Sequence, residues 1–499
     1  MLHVAVNIII VLYLLVIFFV LFHSLFDAHL IFHYLRSFGK EKQKVVQTNF
    51  TPFVTIQLPV YNELHVVERL LDAVAAIDYP EDKIEIQVLD DSSDETSDII
   101  AHKVSMIQQQ NISIHHIQRK NREGYKAGAL KHGLSLARGE FIAVFDADFL
   151  PSKDFLKRTI PYFLQPNVGV VQTKWGHINK ESSLLARLQA IALDGHFSVE
   201  QLGRNAGGYF INFNGTAGVW RKEAILDAGN WQADTLTEDF DLSYRAQMKG
   251  WQFKYLEDFT TPAELPPLIS ALKSQQFRWT KGGAETARKN LKNLIFSSLP
   301  LSVKLHGAFH LIYSFGFISI ITYAVLTVPL LFVKEHFPQY NFVFEISRVV
   351  GISLCIYLLH YFISYLNNTT GSIGKRLFQF IVYFPLFVAF FIGISLSNAI
   401  GILQGYLGIK SGFVRTPKFN SISRNDNALK SKYAKTNINW LTVLEGLLVF
   451  YFLFGLVHAF QLGNYGSMPL LLMASIGFSM VFWWGIEENR KKAIVALHG

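Results

Sequence analysis

The sequence predicts an α/β domain, a Rossmann-like sheet with helices on both faces, inserted between apolar helices long enough to cross a membrane. Three observations predict it. Apolar runs concentrate at the two ends of the 499-residue chain, 50% of its residues are hydrophobic, and the stretch from about 37 to 304 alternates strand and helix patterns with charge throughout. That composition, with 43 Phe, excludes an ordinary soluble enzyme, and a formal net charge of +8 favours an anionic partner. The single cysteine, Cys355, lies in an apolar run and excludes both an intramolecular disulfide framework and a CxxC metal site.

The first apolar run, 6–35, exceeds the roughly 20 residues that cross a bilayer. It is also too long, and lacks the basic start, for a cleaved signal peptide. Residues 1–36 therefore read as a retained anchor. Further apolar runs predict two spans within 305–366 and two within 440–486. Arg36, Lys40, Lys42 and Lys44 after the first span place the central domain, 37–281, in the cytoplasm by the positive-inside rule. Continuing that count puts the basic segment 405–439, with Lys410, Arg415, Lys418, Arg424, Lys430, Lys432 and Lys435 against Asp426 alone, outside if 377–404 also crosses. The run 377–404 is interrupted by Pro385, Gly393, Ser395, Ser397, Asn398, Gly401 and Gln404, so it is expected to be interfacial or re-entrant. Five spans result, with the tail 487–499 also cytoplasmic. The segment 282–304, with Arg288, Lys289 and Lys292 opposite Leu291, Leu294 and Ile295, predicts an interfacial helix.

Within the central domain, "FVTIQLPV" (53–60) reads as a strand. It precedes a helix over 66–77 whose Val66, Val67, Leu70, Leu71, Val74 and Ile77 share one face. "IEIQVLDD" and a helix from about Asp94 follow, then "ISIHHI" and a helix holding "KAGALKHGLSLA", then "FIAVFDAD". This rhythm implies a parallel sheet, and such sheets bind ligands beyond the carboxyl ends of their strands. Asn62 and Glu63 follow the first strand, Asp90 and Asp91 the second, and Asp146 and Asp148 the fourth. The spacing of Asp146 and Asp148 puts both carboxylates on one side of an extended backbone, where they repel unless a cation lies beside them. Mg²⁺ or Mn²⁺ suits such oxygen ligands and completes its shell from a diphosphate. A lone DxD is common at solvated turns and helix caps, and neither GxxxxGK[ST] nor GxGxxG is present.

Order and company decide between these readings. "LPVYNE" (58–63), "VLDDSSDET" (88–96), "REGYKAGAL" (122–130), "VFDADF" (144–149), "FNGTAGVWR" (213–221), "LTEDFDLSYRAQMKGW" (236–251) and "QQFRW" (275–279) resemble, in order, the motifs of family-2 glycosyltransferases. They are most similar to the cellulose synthase superfamily and its plant mannan and glucomannan synthase-like branch, over about 50–435. The resemblance implies a GT-A fold and inverting transfer from a nucleotide diphosphate sugar, UDP-glucose or GDP-mannose, to a growing β-glycan that is moved across the membrane. It assigns Tyr61, Glu63, Asp90 and Asp91 to the nucleotide. Lys126, Asp146 and Arg278 go to the diphosphate, and Asp146 with Asp148 to Mg²⁺ or Mn²⁺. Asp239 becomes the catalytic base, with Glu238, Gln275, Arg278 and Trp279 at the acceptor. Thr237 is a candidate cap for the helix that follows it. "GFVRTPK" (412–418) resembles a mobile gating loop in which Thr416 and Lys418 close over the diphosphate, although Arg415 stands where the family has Val.

A non-processive glycolipid glycosyltransferase of the ceramide glucosyltransferase kind shares these acidic motifs. Several spans after Trp279 and the loop favour the polymer. A transporter or receptor with a nucleotide-sensing domain needs neither the TED acid nor an acceptor tryptophan. The expected partners are the nucleotide sugar, a glycan or lipid acceptor and the bilayer, with no nucleic acid. The expected location is a bacterial plasma membrane or a Golgi membrane. Tyr313, Phe315, Tyr323 and Phe390 are candidates to line a sugar path.

Overall fold

The computed structural model describes residues 1–37, 49–421, 428–434 and 438–498. Lys40, Lys42, Lys44, Arg424, Asp426 and Lys435 lie outside the described residues, as does the side chain of Lys430. Seven strands form one sheet: β1 Val54–Val60, β2 Ile84–Asp90, β3 Ile114–Gln118, β4 Phe141–Val144, β5 Val168–His177, β6 Gly218–Arg221 and β7 Gln252–Ala263. Their order is β3-β2-β1-β4-β6-β5-β7. β1 to β4 are mutually parallel and almost wholly buried except for β3; β4 is an unbroken apolar run, whereas the buried polar residues of β1 and β2 pair across the strands, Thr55 with Glu85 at 2.6 Å and Gln57 with Gln87 at 3.0 Å. Helix Val67–Ala75 buries Val67, Leu70, Leu71 and Val74, the face its periodicity predicts.

The sheet is mixed, which corrects the all-parallel expectation. β6 runs antiparallel to both β4 and β5, and Gly218 at its start pairs with Val144 at the end of β4. An antiparallel neighbour begins where the parallel strand ends, so the "FNGT" loop is delivered to the rim that carries the acids. β4 itself stops at Val144, and Asp146 and Asp148 lie in the turn beyond it and not on extended strand.

Among the described residues, six helices are long and apolar enough to cross a membrane: Leu2–Ser37, Leu301–His336, Pro338–Asn368, Ile373–Leu407, Trp440–Gln461 and Met468–Val495. Helix Ile269–Ile295 is continuous through the 281/282 boundary expected from sequence, because the basic stretch after Trp279 simply extends the signature helix. Helix Ile373–Leu407 runs unbroken through Pro385. Its small residues are packing notches. A Cβ on Gly401 would lie 3.0 Å from the Phe277 carbonyl oxygen, and one on Gly405 2.6 Å from that of Lys281. Both flanks of this helix meet the α/β domain. Asn368 donates to Ser198 Oγ at 2.8 Å before it, and Lys281 donates to Ser411 Oγ at 2.8 Å after it.

Closest of all is the crossing with helix Met468–His498, where a Cβ on Gly477 would lie 1.8 Å from the Ala389 carbonyl oxygen. Since backbone and not a flexible side chain obstructs it, Gly477→Ala forces the helices apart. We expect it to destabilise the protein by about 1–3 kcal/mol, read as a lowered apparent Tm in detergent.

Candidate active site

Four elements converge at the rim of β1, β2 and β4. Residues from the ends of these strands, from the loop before β6, from the start of helix Glu238–Met248 and from helix Ile269–Ile295 line one cleft of about 1210 Å³, part of it open to solvent. Of the residues singled out in the sequence, Tyr61, Glu63, Asp91, Lys126, Asp146, Asp148, Glu238, Asp239, Gln275, Arg278, Trp279, Thr416 and Lys418 all line it. Gln275, Arg278 and Trp279 do so together because their helical spacing stacks them on one face.

Asp90 is the exception. It ends β2 with its side chain turned into the domain, accepting from Ser92 N at 2.8 Å and from the Ser97 hydroxyl, and bonded to His116 Nε2 at 2.8 Å. Burial opposes its charge, yet these bonds outweigh that and hold its carboxyl well below the usual range. Alternation along a strand sends neighbouring residues to opposite sides, so only Asp91 reaches the cleft, where it holds Arg119 Nη2 at 2.5 Å.

At the cleft centre Lys126 Nζ donates to Asp146 Oδ1 at 2.5 Å and to the Gly215 carbonyl at 3.0 Å. Gly215 sits at φ +79°, and a Cβ there would lie 2.8 Å from Asp239 Oδ2, so both backbone and space require glycine. Burial works against the Lys126 charge, but Asp146 and Glu238 outweigh it and raise its pKa. Asp239 accepts from the Phe240 amide at 2.8 Å. Burial, then the adjacent Glu238 carboxylate, pushes its pKa up to about 7, with Lys126 and Arg278 working the other way. Thr237 does not cap the helix; its hydroxyl lies 3.2 Å from that of Thr286 because Gly282 packs against it.

The loop 412–418 lies in the cleft. Lys418 Nζ donates to Asp148 Oδ2 at 2.7 Å, and Arg415 Nη1 stands 2.6 Å from Glu63 Oε2. The arginine that departs from the family pattern thus finds a buried acid. Burial pushes the Glu63 carboxyl up to about 7 in spite of it. Phe413 stacks on Tyr125 at 5.8 Å, with the Arg278 guanidinium 4.9 Å over its ring. Sequence reasoning missed the partners Arg119 and Arg122, and read Phe413 only as a match to the gating-loop pattern. Arg122 lies 3.3 Å over the ring of Tyr61, one of the residues assigned to the nucleotide. Their one signal was position: Arg122 opens the quoted "REGYKAGAL", and Phe413 lies in "GFVRTPK".

A second cavity, of about 1240 Å³ with part of it open to solvent, adjoins the first and reaches into the apolar helices. Trp175, Asn214, Thr237, Asp239 and Trp279 line both. Of the candidate sugar-path aromatics Tyr313 lines it, whereas Phe315, Tyr323 and Phe390 do not, and Phe317, Tyr361 and Phe391 do. A repeating apolar run does not disclose which face of a helix meets the cavity. Tyr323, for example, stacks on Tyr13 at 5.4 Å instead.

Comparison with known proteins agrees with this geometry. Residues 52–282 match the family described as glycosyltransferase like family 2. Glucomannan 4-beta-mannosyltransferase 1 of Cyamopsis tetragonoloba is 42% identical over 283 residues, covering 56% of this chain and 53% of that protein. Glucomannan 4-beta-mannosyltransferase 2 of Arabidopsis thaliana is 37% identical over 346 residues, covering 66% and 64%. The chain thus spans between about half and two thirds of the length of these relatives. Among solved structures, the mannosyltransferase PcManGT from Pyrobaculum calidifontis, in complex with GDP-Man and Mn²⁺, superposes with a TM-score of 0.53 at 17% identity. It covers 79% of this chain and 99% of its own, and the likeness speaks for the fold. Residues 52–282, a GT-A-like mixed sheet with its acids gathered at one rim, therefore form a family 2 glycosyltransferase domain.

Proposed function

We propose that this protein is a membrane-embedded inverting hexosyltransferase that moves a sugar from a nucleotide diphosphate sugar onto the end of a β-glycan. The observation that carries the proposal is the position of Asp239, the one carboxylate among the described residues that lines both the polar cleft and the cavity leading into the helices. Donor in the first space and acceptor in the second meet at that side chain. A sugar hydroxyl is a weak nucleophile near neutral pH, and a carboxylate that accepts its proton as the bond forms contributes roughly 100-fold to 10,000-fold. With its pKa pushed up to about 7, Asp239 is basic enough to take that proton, and about half of it is ionised at neutral pH.

Tyr61, Glu63 and Asp91 serve the nucleoside end of the donor, and Lys126 and Arg278 face the charge that gathers on the departing diphosphate. Trp279 offers its ring to the acceptor sugar, beside Gln275 and Glu238. Asp146 and Asp148 fit a divalent cation. Asp148 Oδ1 is buried and finds no hydrogen-bond partner among the described residues, and no cluster of three or more His, Cys, Asp or Glu there could hold a metal by itself. The substrate diphosphate would supply the remaining oxygens. Mn²⁺ or Mg²⁺ at that place would neutralise charge on the diphosphate. Lys418 and Thr416 then exchange their present surroundings for the bound diphosphate, so that the loop shuts water out.

The names of the relatives and the GDP-Man of PcManGT favour GDP-mannose as donor over UDP-glucose. We assign the domain to the cytoplasmic side and lay helix Ile373–Leu407 along the membrane surface, because both its flanks touch the domain; five helices then cross. The growing chain leaves through the second cavity. Purified protein in nanodiscs, given each radiolabelled donor with Mn²⁺ or Mg²⁺ and followed by linkage-specific hydrolases, tests this. Label from GDP-mannose in a β-mannanase-sensitive polymer is the expected result. A single sugar added to lipid supports the glycolipid enzyme instead, and transfer from neither donor overturns the reading.

A pH profile follows from the base. Below about pH 7 Asp239 is protonated and cannot accept the acceptor's proton, so kcat/KM is expected to fall about tenfold per pH unit on the acid side and to level off above. A profile flat from pH 5 to 8 would remove Asp239 from the rate-limiting step.

A further inference from the structure

The second cavity has a polar wall that the transfer step does not use. Residues His196–Glu200 form a single π-helical turn between helices Leu184–Gly195 and Gln201–Ala206, a local irregularity that costs helix regularity and commonly marks a functional site. The turn presents His196 and Glu200 to the cavity. Glu200 is only 5% exposed, yet it is not an idle buried charge. Tyr313 donates its hydroxyl to Glu200 Oε1 at 2.7 Å, and His196 Nδ1 lies 3.1 Å from Oε2. Tyr313 belongs to a short 3-10 break in the chain's second apolar stretch, so two irregular segments are held together by one carboxylate.

Two further atoms on the same wall, Asn212 Oδ1 and Ser314 Oγ, are buried without a hydrogen-bond partner among the described residues. Unpaired buried polar atoms are costly unless a ligand meets them. The aromatic side chains of Trp279 and Tyr361 line the same cavity. Carboxylate, amide and hydroxyl groups beside aromatic rings match a ligand that alternates hydroxyl edges with apolar C–H faces, as a pyranose chain does. Glu200 lines the second cavity and not the cleft, whereas Asp239 and Trp279 line both, so the polar wall lies beyond Asp239 as seen from the donor.

We propose that Glu200, Asn212 and Ser314 form an acceptor subsite beyond Asp239, which binds hydroxyls of the penultimate sugars of the glycan and sets the register in which its terminal hydroxyl meets the base. Glu200 is a positioning residue: it touches the acceptor away from the reacting atoms. The inference rests on the transfer reading given above.

The test uses the full-length protein in nanodiscs with GDP-mannose and a soluble β-1,4-linked mannopentaose. Glu200→Gln is expected to raise the KM for the oligosaccharide about tenfold, the worth of a hydrogen bond to a charged group, while GDP affinity by calorimetry is unchanged. Ser314→Ala disturbs no charge and is expected to raise the same KM by a smaller factor. If Glu200→Gln does not fold, Ser314→Ala and Asn212→Ala carry the test. An acceptor KM within twofold of the unaltered protein in every folded variant overturns the subsite and leaves the transfer reading standing. Failure of the unaltered protein to transfer from GDP-mannose or UDP-glucose to any acceptor overturns the transfer reading, and the subsite with it.

Discussion

Asp239→Asn is expected to lower hexose transfer by roughly 100-fold to 10,000-fold while GDP affinity stays within a few-fold of the unaltered protein. The amide is nearly isosteric and can still accept from the Phe240 amide at 2.8 Å, so the start of helix Glu238–Met248 keeps its form. What disappears is the one carboxylate among the described residues that lines both cavities. Loss of its charge also relieves repulsion with Glu238, so the variant should fold at least as stably. Nucleotide binding by calorimetry, run beside a transfer assay, separates the two effects. Turnover retained within tenfold would show that another group accepts the proton.

Replacement of Asp148 by Ala is expected to have the second largest effect. Asp148 gives one oxygen to Lys418 at 2.7 Å and keeps the other buried and unpaired among the described residues. Removing it withdraws a ligand from the proposed cation site and leaves Lys418 without its counter-ion. Burial already opposes the charge on Lys418, and Asp148 is the largest influence that raises its pKa against that. A deeply buried pair broken on one side costs about 3–5 kcal/mol, but Lys418 keeps 15% of its side chain exposed and sits on a loop that can withdraw, so the stability loss should be smaller. The expected results are transfer reduced by about 100-fold or more, loss of the Mn²⁺-dependent part of GDP affinity, and faster proteolysis near Phe413. Mn²⁺-dependent GDP binding equal to that of the unaltered protein would take Asp148 out of the cation site.

Much of this site is legible in the sequence because its acids follow short, largely apolar strand patterns, each followed by a helical one. Glu63, Asp91, Asp146 and Asp148 are visible as acids placed just past the ends of those strands. Asp90 shows the limit. Adjacent letters cannot say which of two acids turns toward the cleft, and Asp90 is consumed by Ser92, Ser97 and His116. Arg415 shows another. It departs from the family pattern, and its partner Glu63 lies some 350 positions away, a pairing that local pattern does not encode. The polar and small residues of 377–404 resemble chain breaks in one dimension, whereas in three they let helices approach within contact of backbone.

By itself the sequence determined the strand–helix rhythm from Val54 to Val144, the apolar flanks and the residue types of the motifs, since periodicity and burial are written locally along the chain. Tertiary structure decided the rest. The direction of β6, the descent of loop 412–418 into the cleft, the raised pKa of Asp239 and the π turn that aims Glu200 each depend on groups distant in sequence. Direction, dielectric and proximity belong to packing, and only packing could set them.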